Sequence, residues 1–424
     1  MRRFLIFFIS ALFFANPAWS GGIMTNTNQS ASYIRMPARG ASLGIDAVYY
    51  NPAGLTRLGD GIHLSLNNQS VFQNRNIYNE LSILNRNEFE GVVSAPFFPS
   101  VHAAYKTGKL AVSFGFNPVG GGGGAVYDDG LPSFDAMIAA TILATPGMND
   151  YRHDIYFEGS SIFFGSQLGL SYEINEIVSV FGGARYVVAS NSYDGYVRNI
   201  EGQHAVAGWM PIPFDIEVDA VQRGTGITPL VGLSIKPGDR FNLGIKYEFL
   251  TKLELENETS VDGTDLFPDG VKTRSDMPAM LSLGAAYLAT PDLNIAGGIH
   301  YYFDKAADYG KALPNEELID NNFIELALGL EYSLAGNLLV SAGYLRTQTG
   351  VNENYQSDLS HSLSTNSIGL GGRYAINEMI ALNLGFLMTF YEEDSIEFPP
   401  QMGSAIETYN RDGMVVAVGV DFKF

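Results

Sequence analysis

From Asp412 to its last residue the chain alternates without a break. Met414, Val416, Val418, Val420, Phe422 and Phe424 share one face, while Val415, Ala417, Gly419, Asp421 and Lys423 share the other. A period of two marks an extended strand, whose successive side chains point to opposite faces. A strand of a soluble sheet can alternate in this way. A strand that crosses a bilayer must, because lipid accepts only apolar side chains and the backbone has to be paired within a closed barrel. The pattern recurs along the whole chain and points to an all-β transmembrane barrel.

Residues 1–20 read as a secretory signal peptide. Arg2 and Arg3 precede an apolar run over 4–14, and Ala18-Trp19-Ser20 forms a small-x-small cleavage site before Gly21. The run is too short to span a bilayer as a helix. No other window approaches the length of a membrane helix, yet mean hydropathy is near neutral at +0.04. Strands with one wet and one lipid-facing side produce that balance. The net charge of −20 argues against nucleic-acid binding, which needs basic patches. The absence of cysteine removes disulfide staples and thiol chemistry.

One unit repeats. An alternating strand ends in a tyrosine, followed by a short turn and another strand. Tyr172, Tyr287, Tyr332 and Tyr374 stand in this position, each on the apolar parity, as half of an interfacial aromatic girdle would. Counting gives 14 strands, over 61–73, 99–106, 109–117, 158–173, 176–195, 214–236, 240–254, 271–288, 292–303, 320–334, 337–348, 361–375, 378–391 and 408–424. Six connections are short, near 107, 174, 238, 290, 335 and 376. Seven are long: 74–98, 118–157, 196–213, 255–270, 304–319, 349–360 and 392–407. Short turns on one side and long loops on the other characterise bacterial outer-membrane barrels, and an even count puts both ends on the short-turn, periplasmic side.

Parity assigns faces. In the seventh strand Phe241, Leu243, Ile245, Tyr247 and Phe249 point to lipid, and Asn242, Gly244, Lys246 and Glu248 point inward. Arg185, Arg373, Glu325 and Glu331 also fall on inward parity, as do His63, His102 and His300. Residues 21–60 are polar, rich in Ser, Thr, Asn and Gly, and do not alternate. A barrel of this size leaves a water-filled bore unless something fills it, so a compact segment inside the lumen is expected here rather than a free tail. The domain division is then a signal peptide over 1–20, a plug over 21–60 and the barrel over 61–424.

Ala38-Arg39-Gly40-Ala41-Ser42-Leu43-Gly44, Asp46-Ala47 and Asn51-Pro52-Ala53-Gly54-Leu55 resemble the N-terminal hatch of the long-chain fatty acid outer-membrane transporters. This FadL-type family also includes aromatic hydrocarbon transporters. Gly226 to Gly232 with Leu243-Gly244-Ile245-Lys246-Tyr247, and Asp276-Met277-Pro278-Ala279, extend the resemblance. It implies a hatch inside the barrel, a hydrophobic ligand taken from outside, and a sideways exit into the membrane through a kink in the third strand. The sequence allows that kink: Asn117-Pro118 and the glycine run 120–124 follow clean alternation, and proline cannot donate to a ladder. Asn51, Pro52 and Ala53 are expected to pack beside it. The sequence departs from the family in its outer loops, with the long one, 118–157, after the third strand. There Phe134, Met137, Ile138, Thr141 and Ile142 fall on one helical face after Pro132-Ser133.

Gly40-Ala41-Ser42-Leu43-Gly44 matches a nucleophile elbow, but no hydrolase sheet with following acid and histidine accompanies it. The glycine run lacks the Lys-Ser/Thr of a phosphate loop, and the six histidines show no metal spacing. No enzyme activity, cofactor or metal is expected. The leading function is passive outer-membrane transport of long-chain fatty acids or hydrocarbons in a Gram-negative bacterium, by a monomer surrounded by outer-membrane lipid. The alternative is a general porin or a structural or adhesin barrel. Candidate ligand-binding or gating residues are Gly21, Asn51, Pro52, Ala53, Asn117, Pro118, Gly120, Arg185, Lys246 and Arg373. The three cations are candidates for a ligand carboxylate, or for pairing with Glu248, Glu325 or Glu331. Phe424 is expected to be read by the barrel assembly machinery.

Overall fold

A computed structural model describes residues 23–400 and 404–424. The signal peptide and Gly21 lie outside the described residues. The chain forms a closed antiparallel barrel of 14 strands. They are β1 Gly61–Asn79, β2 Glu88–Thr107, β3 Leu110–Tyr127, β4 Met148–Glu173, β5 Val178–His204, β6 Ile216–Ile235, β7 Phe241–Glu248 continued by Glu254–Asp262, and β8 Lys272–Arg274 with Met280–Leu288. Then follow β9 Leu293–Tyr302, β10 Ile324–Ala335, β11 Leu338–Gln348, β12 Thr365–Ala375, β13 Ile380–Tyr391 and β14 Ile406–Lys423. Each strand pairs with its sequence neighbours, and β1 pairs with β14 from His63↔Lys423 to Asn79↔Glu407, which leaves no free edge. Closure pairs the first and last strands without water, the condition for crossing a bilayer as strands.

The alternation places the faces as parity requires. Phe241 and Phe249 are exposed, while Asn242, Lys246 and Glu248 are buried in the lumen. Tyr172, Tyr287, Tyr332 and Tyr374 are exposed at the short-turn ends. The strand ends depart from expectation at the other end. β1 runs to Asn79, β2 starts at Glu88, β3 reaches Tyr127, β4 starts at Met148 and β5 reaches His204. Ladder pairing thus continues through much of the expected loops 74–98, 118–157 and 196–213. Beyond the lipid band no apolar outer face is needed, so the hydrophobic signal fades while the hydrogen bonds persist. β7 and β8 are each interrupted, β8 between Arg274 and Met280, where Pro278 cannot donate to the ladder.

The N-terminal segment and two outer connections fill the bore. Residues 23–57 carry α1 (Ala31–Arg35), α2 (Ala47–Tyr50) and a 3-10 turn (Pro52–Arg57), and are almost entirely buried. Ser30 caps α1 by accepting from Tyr33 N at 3.1 Å. At the long-loop end α3 (Pro132–Leu143) and the connection after β11 turn inward; Tyr355, Asp358, His361 and Leu363 are all buried. The buried face of α3 is Asp135, Ile138, Ala139 and Ile142, whereas Thr141 of the expected face is exposed. The face is rotated because Asp135 is satisfied inside, 2.8 Å from His153 Nε2.

Candidate functional site

The N-terminal segment meets the wall through backbone as well as side chains. Added Cβ atoms at Gly244 and Gly284 would lie 2.0 Å from Gly40 O and 2.1 Å from Gly40 C. Only residues without side chains allow the two backbones to approach so closely. Around this contact Asn242 Nδ2 donates to Ala41 O at 2.6 Å, and Arg39 holds Asp46 through Nε at 2.7 Å and Nη2 at 3.1 Å. Burial alone would raise the pKa of Asp46, but the Arg39 charge outweighs it and the carboxyl stays below its usual range. Ser42 Oγ donates to Asp46 Oδ1 at 2.6 Å, so the elbow-like serine belongs to this network.

Asn51, Pro52 and Ala53 sit at the short-turn end against β4 to β7, not at the kink where they were expected. Asn51 Nδ2 donates to Ser42 O at 3.0 Å, Pro52 O accepts from Ser171 Oγ at 2.6 Å, and Ala53 packs with Phe181 and Leu230. The tripeptide turns the chain towards β1, which fixes it near the start of the barrel. Residues 24–29 take the place beside the kink.

That kink interrupts the ladder between β2 and β3. Pairing runs from Thr107↔Leu110 to Val101↔Phe116, then resumes only at Val93↔Ala125. On β2, Phe98 faces Gln69 and Ala95 faces Val71, so Pro96 and Phe97 bulge out, and Phe97 is 82% exposed. On β3, Asn117 to Gly124 turns towards the lumen and bonds the N-terminal segment instead of β2. Asn26 N donates to Val119 O at 2.8 Å, Gly121 N to Met24 O at 3.2 Å, and Gln29 Nε2 to Pro118 O at 2.9 Å. The freed ladder groups thereby keep partners, as burial demands. Gly120 is required at the contact, since its Cβ would lie 2.3 Å from Met24 O. Asn117 Oδ1 lies 2.8 Å from His102 Nε2. Val71, Val93, Val119 and Phe163 belong to one buried apolar cluster beside the interruption.

Arg185 and Lys246 come together; Arg373 does not join them. Arg185 grips Glu248 through Nη1 at 2.5 Å and Nη2 at 3.0 Å, and Lys246 Nζ approaches Glu248 at 2.7 Å and Tyr49 O at 2.7 Å. The Tyr49 ring lies 5.1 Å from the guanidinium and 4.3 Å from the ammonium. These cations are therefore engaged by the wall and the N-terminal segment, and do not stand open to a ligand carboxylate. Arg373 is half exposed at the short-turn mouth, 3.9 Å from Asp421. Glu331 pairs with Arg35 and Arg39, while Glu325 lies 2.9 Å from His300 and accepts from Tyr302 at 2.7 Å.

Sequence reasoning missed Met24, Asn26 and Gln29 at the kink, and Arg75 and Arg411 in the lumen. Arg411 had a signal, since it lies on inward parity of β14, whereas Arg75 fell in a stretch read as loop.

No protein-family model matches the chain, and no curated protein matches it in sequence. Its fold does match solved structures. A Pseudomonas aeruginosa FadL homologue aligns with TM-score 0.68 at 16% identity, over 95% of this chain and 100% of that one. The P. putida toluene transporter TodX aligns with TM-score 0.60 at 17% identity, over 92% and 98%. The Ralstonia pickettii toluene transporter TbuX aligns with TM-score 0.59 at 16% identity, over 93% and 98%. The likeness is one of fold, and spans nearly the whole of each chain.

Proposed function

We propose that this chain, which shares the fold of FadL-type and toluene transporters, is an outer-membrane channel for hydrophobic molecules such as long-chain fatty acids or hydrocarbons. The ligand enters at the long-loop end, passes beside an N-terminal hatch and leaves sideways into lipid by passive diffusion. The observation that carries this reading is the missing pairing between β2 and β3 at residues 94–100 and 117–124, beside buried apolar side chains. An apolar solute gains nothing from reaching water, so an opening towards lipid suits it better than one along the axis. The hatch spans 21–60, and 1–20 is the signal peptide that exports the chain to the outer membrane of a Gram-negative bacterium. Gly120, Asn117 and Pro118 shape the exit, and Asn51, Pro52 and Ala53 anchor the hatch. Phe424, exposed at the end of the apolar face, is the residue for barrel assembly machinery, and the barrel acts as a monomer in lipid. A general porin is disfavoured because the bore is filled by buried residues.

Uptake by proteoliposomes tests the exit. Deleting Val119 and Gly121 removes the two residues by which β3 exceeds β4 here, keeps Ala125 and Tyr127 on inward parity and is expected to let β3 pair with β2. Uptake of a long-chain fatty acid is expected to fall at least tenfold while binding to the purified protein persists. Unchanged uptake would refute the lateral route.

A further inference from the structure

A break in a barrel wall has two edges, and each needs partners for its freed backbone groups, because hydrocarbon offers none. The β3 edge finds them inside the lumen, on Met24, Asn26 and Gln29. The β2 edge turns the other way, with Phe97 of its bulge exposed on the outside. What holds that edge lies on β1.

On the outward parity of β1, Ile62, Leu66 and Phe72 are exposed, as a lipid-facing strand requires. Asn68 and Ser70 break that run. Across the β1–β14 ladder they face Val418 and Val416, both exposed, so they stand within the apolar band and not at its rim. A polar side chain in such a place costs free energy unless it is hydrogen-bonded. Both are. Asn68 Nδ2 and Ser70 Oγ each donate to Pro96 O at 3.0 Å, and Phe98 N donates to Asn68 Oδ1 at 3.1 Å. The Asn68 amide thus offers β2 one donor and one acceptor, as a backbone residue would. Pro96 has no N–H that would need a further partner. Side chains replace the ladder here, between Gln69↔Phe98 and Val71↔Ala95, where β2 carries one residue more than β1.

The inner face of the same stretch serves the other edge. Gln69, fully buried between Asn68 and Ser70, accepts from Asn28 Nδ2 at 3.2 Å and donates to Asn28 O. Ser100 Oγ on β2 donates to Gln29 O. Asn28 and Gln29 belong to the segment that bonds β3, so β1 ties one edge from outside and the other from inside.

We propose that Asn68 and Ser70, acting through Pro96 and Phe98, are positioning residues that hold the β2 edge of the lateral opening away from β3. The proposal rests on the transport reading and adds what keeps the exit open on its β2 side. Without the two side chains, Pro96 O and Phe98 N have no partner in lipid, and the bulge folds back towards the ladder and narrows the gap. The barrel itself does not suffer, since Leu or Val at a lipid-facing position is what the bilayer accepts. Loss of transport therefore separates from loss of fold.

The test is uptake of oleate and of hexadecane by proteoliposomes carrying the full-length mature protein with Asn68→Leu and Ser70→Val together. Uptake of both should fall roughly tenfold, the effect of losing about one net hydrogen bond from the open arrangement. Binding of a fluorescent fatty acid to the detergent-folded protein, and its stability in urea, should hold. Ser70→Thr, which keeps the hydroxyl, should transport as the wild type does. Unchanged uptake in the double variant overturns the positioning role, and leaves the transport reading standing if deletion of Val119 and Gly121 still lowers uptake. Parallel loss of uptake, binding and stability also overturns it, by giving the two residues a purely structural part. A wild type that takes up neither probe overturns the proposal together with the transport reading.

Discussion

Replacing Glu248 by Gln should damage the protein far more than removing the lysine that contacts it. Arg185, Lys246 and Glu248 are 0%, 2% and 4% exposed, and Glu248 is the shared anion of two cations. Glu248→Gln preserves shape but leaves two positive groups facing each other out of water. Breaking a buried ion pair by removing one partner costs about 3–5 kcal/mol. Lys246→Met leaves Arg185 bidentate on Glu248 as a neutral pair, and loses the contacts from Nζ to Glu248, to Tyr49 O and to the Tyr49 ring. The desolvation relieved on removing the ammonium offsets much of that loss, so a change within about 1 kcal/mol is expected. Tyr49 sits over both cations, so the same perturbation loosens the N-terminal segment. Urea titration of detergent-folded protein, followed by heat-modifiable gel mobility, measures the stability. Planar-bilayer conductance measures the seal, and should rise in Glu248→Gln alone. If Lys246→Met destabilises as much as Glu248→Gln, the charge balance drawn here is wrong.

Three further outcomes are expected. Gly284→Val places a side chain within 2.1 Å of Gly40 C, and such overpacking costs about 1–3 kcal/mol; conductance should increase, and an unchanged trace would show that this contact does not seal the bore. Deleting 21–57 should give a stably conducting pore, and conductance equal to the wild type would mean that the segment does not close it. Asp304, in the connection after β9, is raised from 3.8 to about 6 by burial. The native state then holds a proton that the unfolded state releases, so stability falls as pH rises from about 3.8 to about 6 and levels off above. Asp304→Asn should flatten that slope in a pH series of urea titrations, and a slope equal to the wild type would assign it to other groups.

The alternating pattern by itself determined the barrel, the number of strands and the side each residue faces. These follow from a period of two and from lipid's rejection of polar groups, both local in sequence. Parity alone sent Lys246 and Glu248 inward on one strand, and Arg185 with them. It could not say that the three meet, because that depends on the register of β5, β6 and β7. The glycine run announced a break in β3, yet which segment would take up its freed backbone lay beyond the pattern. Residues 24–29 do so, and Asn51-Pro52-Ala53 do not, because the path of a non-alternating segment is set by what the lumen offers it. Strand ends above the lipid band were hidden, since hydrogen bonds continue there without an apolar face to mark them. Arg75 and Arg411 stand at opposite ends of the chain, and only the closure of β1 on β14 places them face to face. Which charges face one another was therefore decided by tertiary structure, since Coulomb energy depends on distance in space and not on separation along the chain.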